Sequence, residues 1–80
     1  KTRPFPAKLQ RELDRLPDRI SAVAEEIATA EHRLDDPDLY GRDPAAFTLL
    51  GEQLAHLRGT LAQLEERWLE LASMQEDHIA

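Results

Sequence analysis

Four basic side chains near the start of the chain have the type and spacing to bind phosphate groups. Lys8, Arg11, Arg15 and Arg19 are separated by steps of 3, 4 and 4 residues. On an α-helix, residues three and four positions apart share a face, so these cations, called here the basic row, would lie in line. Lysine and arginine that contact phosphates supply the sequence-independent part of nucleic-acid affinity. The basic row is therefore a candidate nucleic-acid-binding site.

A second interpretation of the basic row stays open, in which it is an ordinary solvated helix face. Glu12, Asp14 and Asp18 lie nearby in the sequence and would neutralise part of its charge. The arginines of the row, however, follow one another at intervals of four residues. Like charges at that interval cost a helix roughly 0.2–0.5 kcal/mol per pair, and a sequence selected for helix stability alone would alternate the signs.

The charge of the whole chain opposes tight binding of nucleic acid. Its 80 residues carry 10 Lys+Arg against 16 Asp+Glu, which gives a net charge of −6. Residues 1–19 sum to +3, from six basic and three acidic side chains, whereas residues 20–80 sum to −9, from four and thirteen. Positive potential is thus expected at one end of an acidic molecule.

No motif for catalysis, a cofactor or a metal accompanies the basic row, so we expect a domain that is not an enzyme. His32, His56 and His78 are far apart, with no cysteine to join them, and surface positions are expected. The aspartates of residues 35–43 lack the spacing, glycine and terminal glutamate of a calcium loop, which favours turn and capping roles. No apolar run approaches the ~18 residues of a membrane span, so no membrane association is expected.

Two series of apolar residues predict the elements that carry these side chains. The first runs in steps of 4 and 3 through Leu9, Leu13, Leu16, Ile20, Val23, Ile27, Ala30 and Leu34. The second runs in steps of 3 and 4 through Phe47, Leu50, Leu54, Leu57, Leu61, Leu64, Trp68 and Leu71. This spacing is typical of paired helices, and nothing alternates with the period of two that strands need. The sequence predicts an all-α fold with one leucine-rich seam.

A segment rich in aspartate, proline and glycine, about residues 36–43, separates the two series and predicts a hairpin. Asp43 suits a helix N-cap and Pro44 the first helical position. Because a loop this short makes its flanking helices antiparallel neighbours, the prediction is a two-arm antiparallel coiled-coil helical hairpin. The first arm is expected over about 6–35 and the second over about 44–77.

The predicted hairpin thus covers residues 6–77. Residues 1–5 are interpreted as a linker remnant and residues 78–80 as a frayed terminus. Because the two seams match in length and cover one another, we expect the hairpin to be intramolecular and the chain to be a monomer.

Folding the chain about this loop sets the register of the seam. Leu16 falls near Leu64 or Glu65, and Glu12 and Arg67 take g positions on the same side, where we expect an exposed ion pair. Trp68 is in phase with the leucines of the second arm. It is therefore predicted to lie in the core, in preference to serving as a stacking platform for a base.

Several residues depart from the pattern of a regular helical hairpin. Pro17 lies inside the first arm, where proline costs ~3 kcal/mol, yet the apolar spacing continues through it, so a kink is expected. Leu39 and Tyr40 are too apolar for a free loop and are expected to be buried at its tip. Gly51 and Gly59 weaken the second arm; close approach of the loop would explain Gly51, and Gly59 has no explanation in the pattern.

Several segments of the chain occur together in one known family. They are Lys8-Leu9-Gln10-Arg11-Glu12-Leu13, Leu16-Pro17, Asp36-Pro37-Asp38-Leu39-Tyr40, Arg42-Asp43-Pro44 with Phe47, and Leu64-Glu65-Glu66-Arg67-Trp68-Leu69-Glu70-Leu71. In this order they resemble the C-terminal coiled-coil domain of the ABC-F ATPases, soluble proteins with tandem ATP-binding cassettes, and in particular their Uup-type branch. The resemblance covers roughly residues 5–72.

The resemblance implies a cytoplasmic parent protein with two ATPase cassettes upstream, which would bind the ATP; none of that machinery is in this chain. The family acts on ribosomes or nucleic acid, and its Uup-type C-terminal domain is associated with DNA binding. The expected function is thus weak, shape-directed binding of nucleic acid, DNA more than structured RNA, through the basic row.

An alternative from another class stays open, in which the domain is a spacer or protein-interaction module. It would dock on the parent's cassettes, on the ribosome or on another partner. Ala55, Ala62 and Leu69 recur every seven residues outside the seam and offer a weak second contact face.

Overall fold

The computed structural model describes residues 4–79, which form three α-helices. Helix α1 spans Ala7–Leu34, the short helix α2 spans Leu39–Arg42, and helix α3 spans Pro44–Ile79. Helix α2 lies inside the segment predicted as loop, and α3 runs two residues beyond the predicted end of the second arm.

Helices α1 and α3 pack antiparallel, with α2 at one end, the tip, and the chain ends at the other, the base. Near the base, Gln75 Nε2 donates a hydrogen bond to Gln10 Oε1 at 2.6 Å. Closer to the tip, Arg58 Nη2 donates to Glu31 Oε2 at 2.8 Å. The resulting rod measures 65 × 17 × 15 Å. The predicted all-α helical hairpin is confirmed.

Two clusters of buried side chains lie between the helices. The cluster nearer the base contains Leu13, Leu16, Leu64 and Leu71, and the one nearer the tip contains Ile27, Ala30 and Leu54. All seven are predicted seam positions, and Leu71 is completely shielded from solvent. Because Leu16 and Leu64 share a cluster, the predicted register is confirmed.

Trp68 corrects the seam prediction, because its side chain is 37% exposed and lies outside both buried clusters. The reason is geometrical. A straight α-helix drifts by ~20° per heptad relative to a strict seven-residue repeat, so the buried stripe of a long helix moves around its axis. At the base the stripe is centred on Leu64 and Leu71, and Trp68 is carried to its edge. Phe47, near the opposite end of α3, is 37% exposed as well.

Aspartates organise the tip. Asp36 accepts hydrogen bonds from the Asp38 amide and from Arg42 Nη2, each at 3.0 Å. These two bonds, that of the amide first, hold the pKa of Asp36 below its ordinary value. Asp43 caps α3, since its Oδ1 accepts from the Ala46 amide at 3.1 Å. The predicted turn and capping roles are confirmed for Asp36 and Asp43.

Only one of the two apolar residues of the tip is buried. Leu39 is 7% exposed, as predicted, whereas Tyr40 is 63% exposed, which corrects the expectation that both would plug the tip. The two are adjacent in helix α2, where successive side chains point about 100° apart, so only one of them faces the hairpin. The Tyr40 ring meets the edge of Phe47, with centroids 5.3 Å apart.

The proline and the glycines do not interrupt the long helices. Helix α1 remains helical through Pro17, so no loop divides the first arm, and the kink itself remains a prediction. A methyl group built on Gly51 or Gly59 would meet nothing within 4 Å, so close approach of the loop does not explain Gly51.

The base is more ordered than the sequence suggests. Phe5, assigned to the linker remnant, packs against the buried cluster, and its ring forms a T-shaped pair with the His78 ring, with centroids 5.4 Å apart. His78, assigned to the frayed terminus and to the surface, is half-buried and helical, with Nδ1 2.9 Å from the Met74 carbonyl oxygen. Each ring shields the apolar surface of the other, which a seam pattern does not reveal. Residues 1–3 and 80 lie outside the described residues.

Replacing Gly51 or Gly59 with alanine should stabilise the hairpin. Each glycine is helical with open space around its Cα, so the added methyl group removes the entropic cost of glycine without a clash. The expected gain is roughly 0.5–1 kcal/mol per site in urea denaturation. The reverse change at an exposed position between them, Ala55→Gly, is the control and should lose a similar amount. A loss of stability in either glycine variant would contradict the open geometry.

The two apolar residues of the tip should differ in their effect on stability. Leu39→Ala should lower the free energy of unfolding by about 2 kcal/mol or more, because it empties a buried position. Tyr40→Ala should cost about 1 kcal/mol or less, because it loses only an exposed edge-to-face contact. Equal losses in thermal denaturation would show that the exposed tyrosine supports the tip as much as the buried leucine does.

Candidate nucleic-acid interface

The basic row forms one surface of the folded hairpin. All four of its side chains are exposed on α1, and together with Glu12 and Leu16 they line a single shallow groove near the base. The spacing on the helix brings them together, since α1 is continuous through this segment. The structure thus places every predicted site residue on one face, beside the seam.

The four cations of the basic row form no ion pair within residues 4–79. The ion pairs of that part of the chain involve other arginines instead: Arg42 with Asp36, Arg58 with Glu31, and Arg67 with Glu12 and Glu70. The charges of the row are therefore available to a ligand.

Glu12, the acidic residue that lines the groove of the basic row, is engaged from the opposite helix. Arg67 donates to Glu12 through Nε at 2.6 Å and through Nη2 at 3.0 Å, which confirms the predicted ion pair. Chiefly through these hydrogen bonds, Arg67 holds the pKa of Glu12 below its ordinary value of 4.5, and Lys8 and Arg19 add smaller electrostatic contributions. The carboxylate in turn raises the pKa of Arg67. Because Glu12 faces Arg67, it neutralises less of the row than its sequence position suggests.

The start of α1 adds to the positive potential of the row. The helix begins at Ala7, its first turn holds no acidic side chain, and Lys8 lies within that turn. The N-terminus of a helix carries a partial positive charge from its unpaired amide groups, which most helices balance with an acid. Here the dipole and the side chain have the same sign. This arrangement weakens the helix slightly and favours an anion beside it.

Acidic side chains of α3 limit this potential. Glu65, Glu66, Glu70 and Glu76 are exposed on the base half of α3, the half that packs against the start of α1. Phosphates would therefore be attracted to the α1 side of the base and repelled from its α3 side. The positive potential of the site is therefore confined to its α1 side and is modest in size.

The structure offers no metal centre and no membrane span in the part of the chain that it describes. Across residues 4–79, no group of three or more His, Cys, Asp or Glu side chains converges as metal ligands. No described helix is both long and apolar enough to cross a bilayer.

The sequence did not reveal a second, wider groove on the tip half of the hairpin. It has a volume of about 820 Å³ and lies between α1 and α3; we call it the tip groove. Its lining is Ala22, Glu25, Glu26, Thr29, Ala30, Arg33, Leu49, Glu52, Gln53, His56 and Leu57. Leu49, outside the predicted seam, is 54% exposed there. The only feature of the sequence that could have predicted this groove is the small size of Ala22 and Ala30, which leave space that a leucine would fill.

The Glu12–Arg67 pair should make a pH-dependent contribution to stability. The folded pKa of Glu12 lies below 4.5, so the pair stabilises fully above about pH 4.5 and is lost as the pH falls through the folded value. Glu12→Gln should therefore lower the urea midpoint at pH 7, and the difference from wild type should shrink below pH 4. Glu65→Gln, the same change at an exposed position of α3, is the control and should have little effect at either pH. An equal drop in the urea midpoint at both pH values would show that the Glu12 side chain acts through packing and not through its charge.

Comparison with known proteins identifies the family of the chain. No curated protein and no solved structure matches it significantly. A family model described as ABC transporter C-terminal domain matches residues 5–73, which include the basic row, the tip and most of α3. The chain therefore belongs to the ABC transporter C-terminal domain family.

Proposed function

We propose that this domain binds nucleic acid weakly, by shape, through the basic row on α1. The observation that carries the proposal is the grouping of four exposed cations, without ion pairs in residues 4–79, in one groove at the positive end of a helix. The finer assignment is to the ABC-F ATPases and their Uup-type branch, whose C-terminal domain is associated with DNA binding. DNA is accordingly the preferred ligand over structured RNA.

The geometry of the row suits a phosphate backbone better than base edges. Lys8 and Arg19 are eleven residues apart, which is roughly 16 Å along a helix at 1.5 Å per residue, so the cations can follow a strand or a groove edge. Lysine and arginine contacts to phosphate position a protein without reading sequence. The groove holds no amide side chain beside the cations to recognise a base. The proposed ligand is therefore recognised by its shape and charge.

The proposed affinity is low, because the remainder of the molecule repels the same ligand. The net charge is −6, and the base half of α3 carries several exposed acids. We propose dissociation constants of micromolar order at physiological salt, in the range of non-specific binding, with a steep dependence on salt. Such a domain would contribute to the affinity of a longer protein more than it would act alone.

In this proposal the domain is a non-catalytic appendage of a cytoplasmic ATPase. ATP would be bound and hydrolysed by the cassettes of the parent protein, and this chain would need no cofactor. Its role would be to hold nucleic acid, or nucleic acid within the ribosome, near those cassettes.

One observation favours a second function, that of a protein-interaction or spacer module. Leu69 is 61% exposed, and Ala62 and Ala55, one and two heptads before it, are exposed as well. This surface would dock on the parent's ATPase cassettes or on a partner protein by apolar contact. Added salt separates the two functions, since it weakens phosphate binding steeply and leaves apolar docking intact.

Replacing Lys8, Arg11, Arg15 and Arg19 together with glutamine should abolish most of the binding to nucleic acid. Glutamine keeps the helix propensity, so helicity by circular dichroism should be preserved. If all four cations contact phosphates of duplex DNA, the slope of log K against log salt is at most about −3.6 in the parent and approaches zero in the variant. Fluorescence anisotropy with labelled duplex, branched and single-stranded DNA and structured RNA, at two salt concentrations, measures both quantities.

A pair of variants matched in charge separates the basic row from general electrostatics. Arg11→Gln/Arg15→Gln and Arg42→Gln/Arg58→Gln each remove two positive charges, but only the first pair lies in the row. The first variant should lose most of the affinity and the second little, because Arg42 and Arg58 are paired with acids. Equal losses of affinity in the two double variants, or no loss in the quadruple variant, would show that the row is only a solvated helix face. The function as an interaction module would then be favoured.

A further inference from the structure

The tip groove combines an apolar floor with an acidic rim. Ala22, Ala30, Leu49 and Leu57 supply the apolar surface of its lining. Glu25, Glu26 and Glu52 line it as well, against a single arginine, Arg33, so its ionised side chains sum to −2 when histidine is neutral. A partner that fits this groove would present a helix face that carries small apolar side chains and positive charge.

The basic row and the tip groove belong to one continuous face of the hairpin. Beyond Arg19, the lining of α1 continues through Ala22, Glu26, Thr29 and Arg33 in steps of 3, 4, 3 and 4 residues, which keeps it on the same flank of the helix. This flank is cationic at the base and acidic with apolar surface at the tip. Each copy of the chain therefore carries both halves of a complementary pair.

We propose that two copies of this chain associate antiparallel through this face, with a two-fold axis beside Ala22. Arg19 and Glu25 lie three residues, or about 4.5 Å, on either side of Ala22, so the axis brings Arg19 of each copy to Glu25 of the other. The small side chain of Ala22 allows the two α1 helices to approach closely. Such an interface is isologous, since each copy presents the same surface to the other.

The second arginine of the proposed contact meets the α3 side of the groove. Arg15 lies seven residues before Ala22, so the axis relates it to the level of Thr29, seven residues after. Thr29 lines the tip groove together with Glu52 and the exposed Leu49. Arg15 therefore faces Glu52 of the second copy, and its aliphatic stem covers apolar surface there. The contact repeats by symmetry.

The same two-fold register also implies that the association between the two copies is weak. Arg33, the one arginine of the groove, lies eleven residues after Ala22 and is related by the axis to Arg11, which places two cations opposite each other twice per dimer. The exposed apolar surface is also small compared with the buried seam. We therefore expect the chain to remain monomeric at low micromolar concentration and to associate only when it is more concentrated.

Charge reversal with mixing tests the arrangement. Glu25→Lys and Arg19→Glu each place like charges opposite each other in their own homodimers, so each alone should associate at least about tenfold more weakly than wild type. In an equimolar mixture, one of the two Arg19–Glu25 contacts of the heterodimer is restored with inverted signs, and the other contacts are unchanged. The mixture should recover dimers at concentrations where neither variant forms them. Sedimentation equilibrium measures this, and circular dichroism confirms that each variant is folded.

Removing the unfavourable contact supplies a variant that gains association. Arg33→Gln should tighten the dimer about threefold or more and Arg42→Gln, the same charge change outside this face, should leave it unchanged. A wild-type chain that stays monomeric to millimolar concentration, or a mixture that stays monomeric where wild type dimerises, overturns the proposal. The measurements contain no nucleic acid, so they do not depend on the proposed function of the basic row.

Discussion

The apolar seam between α1 and α3 is the interaction on which the rest of the molecule depends. Separate helices in water are marginal even when their propensity is good, and these helices carry Pro17, Gly51 and Gly59. What holds them is the burial of leucines such as Leu16 and Leu71 against the opposite helix. Each fully buried leucine contributes roughly 1.5–3 kcal/mol before the entropy of the chain is subtracted. The seam therefore tolerates local weaknesses that an isolated helix would not.

Because the seam occupies a single stripe, the flanks of each helix are free to carry charge. On α1 one flank carries the basic row at the base, although repulsion between like charges and the helix dipole both disfavour cations at that position. Arg67 reaches across from α3 to bind Glu12, which fixes the register beside the row. The stability of the hairpin and the charge of its surface are thus set by different residues.

The apolar spacing predicted the all-α hairpin, the register of Leu16 with Leu64 and the Glu12–Arg67 pair, because these follow from helical period and loop position alone. The predicted burial of Trp68, from the apolar spacing, and of Tyr40, from the apolar character of the loop, was wrong. A strict heptad ignores the drift of a real helix, and a short tip helix buries one of two adjacent side chains. The packing of Phe5 on His78 and the width of the tip groove depend on side chains across two helices, and no local pattern encodes them.

The two proposed interactions use the same charges and therefore exclude one another. Arg15 and Arg19 cannot contact phosphates while they face the acids of a second copy. Because self-association is proposed to be the weaker of the two, nucleic acid would displace the second copy from the basic row. Self-association would then matter where chains are concentrated and nucleic acid is absent, and it would cover the basic row under those conditions. In this proposal the asymmetry of charge along one flank of α1 has a physical consequence beyond binding, since an acidic groove on the same face would limit when the cations are accessible.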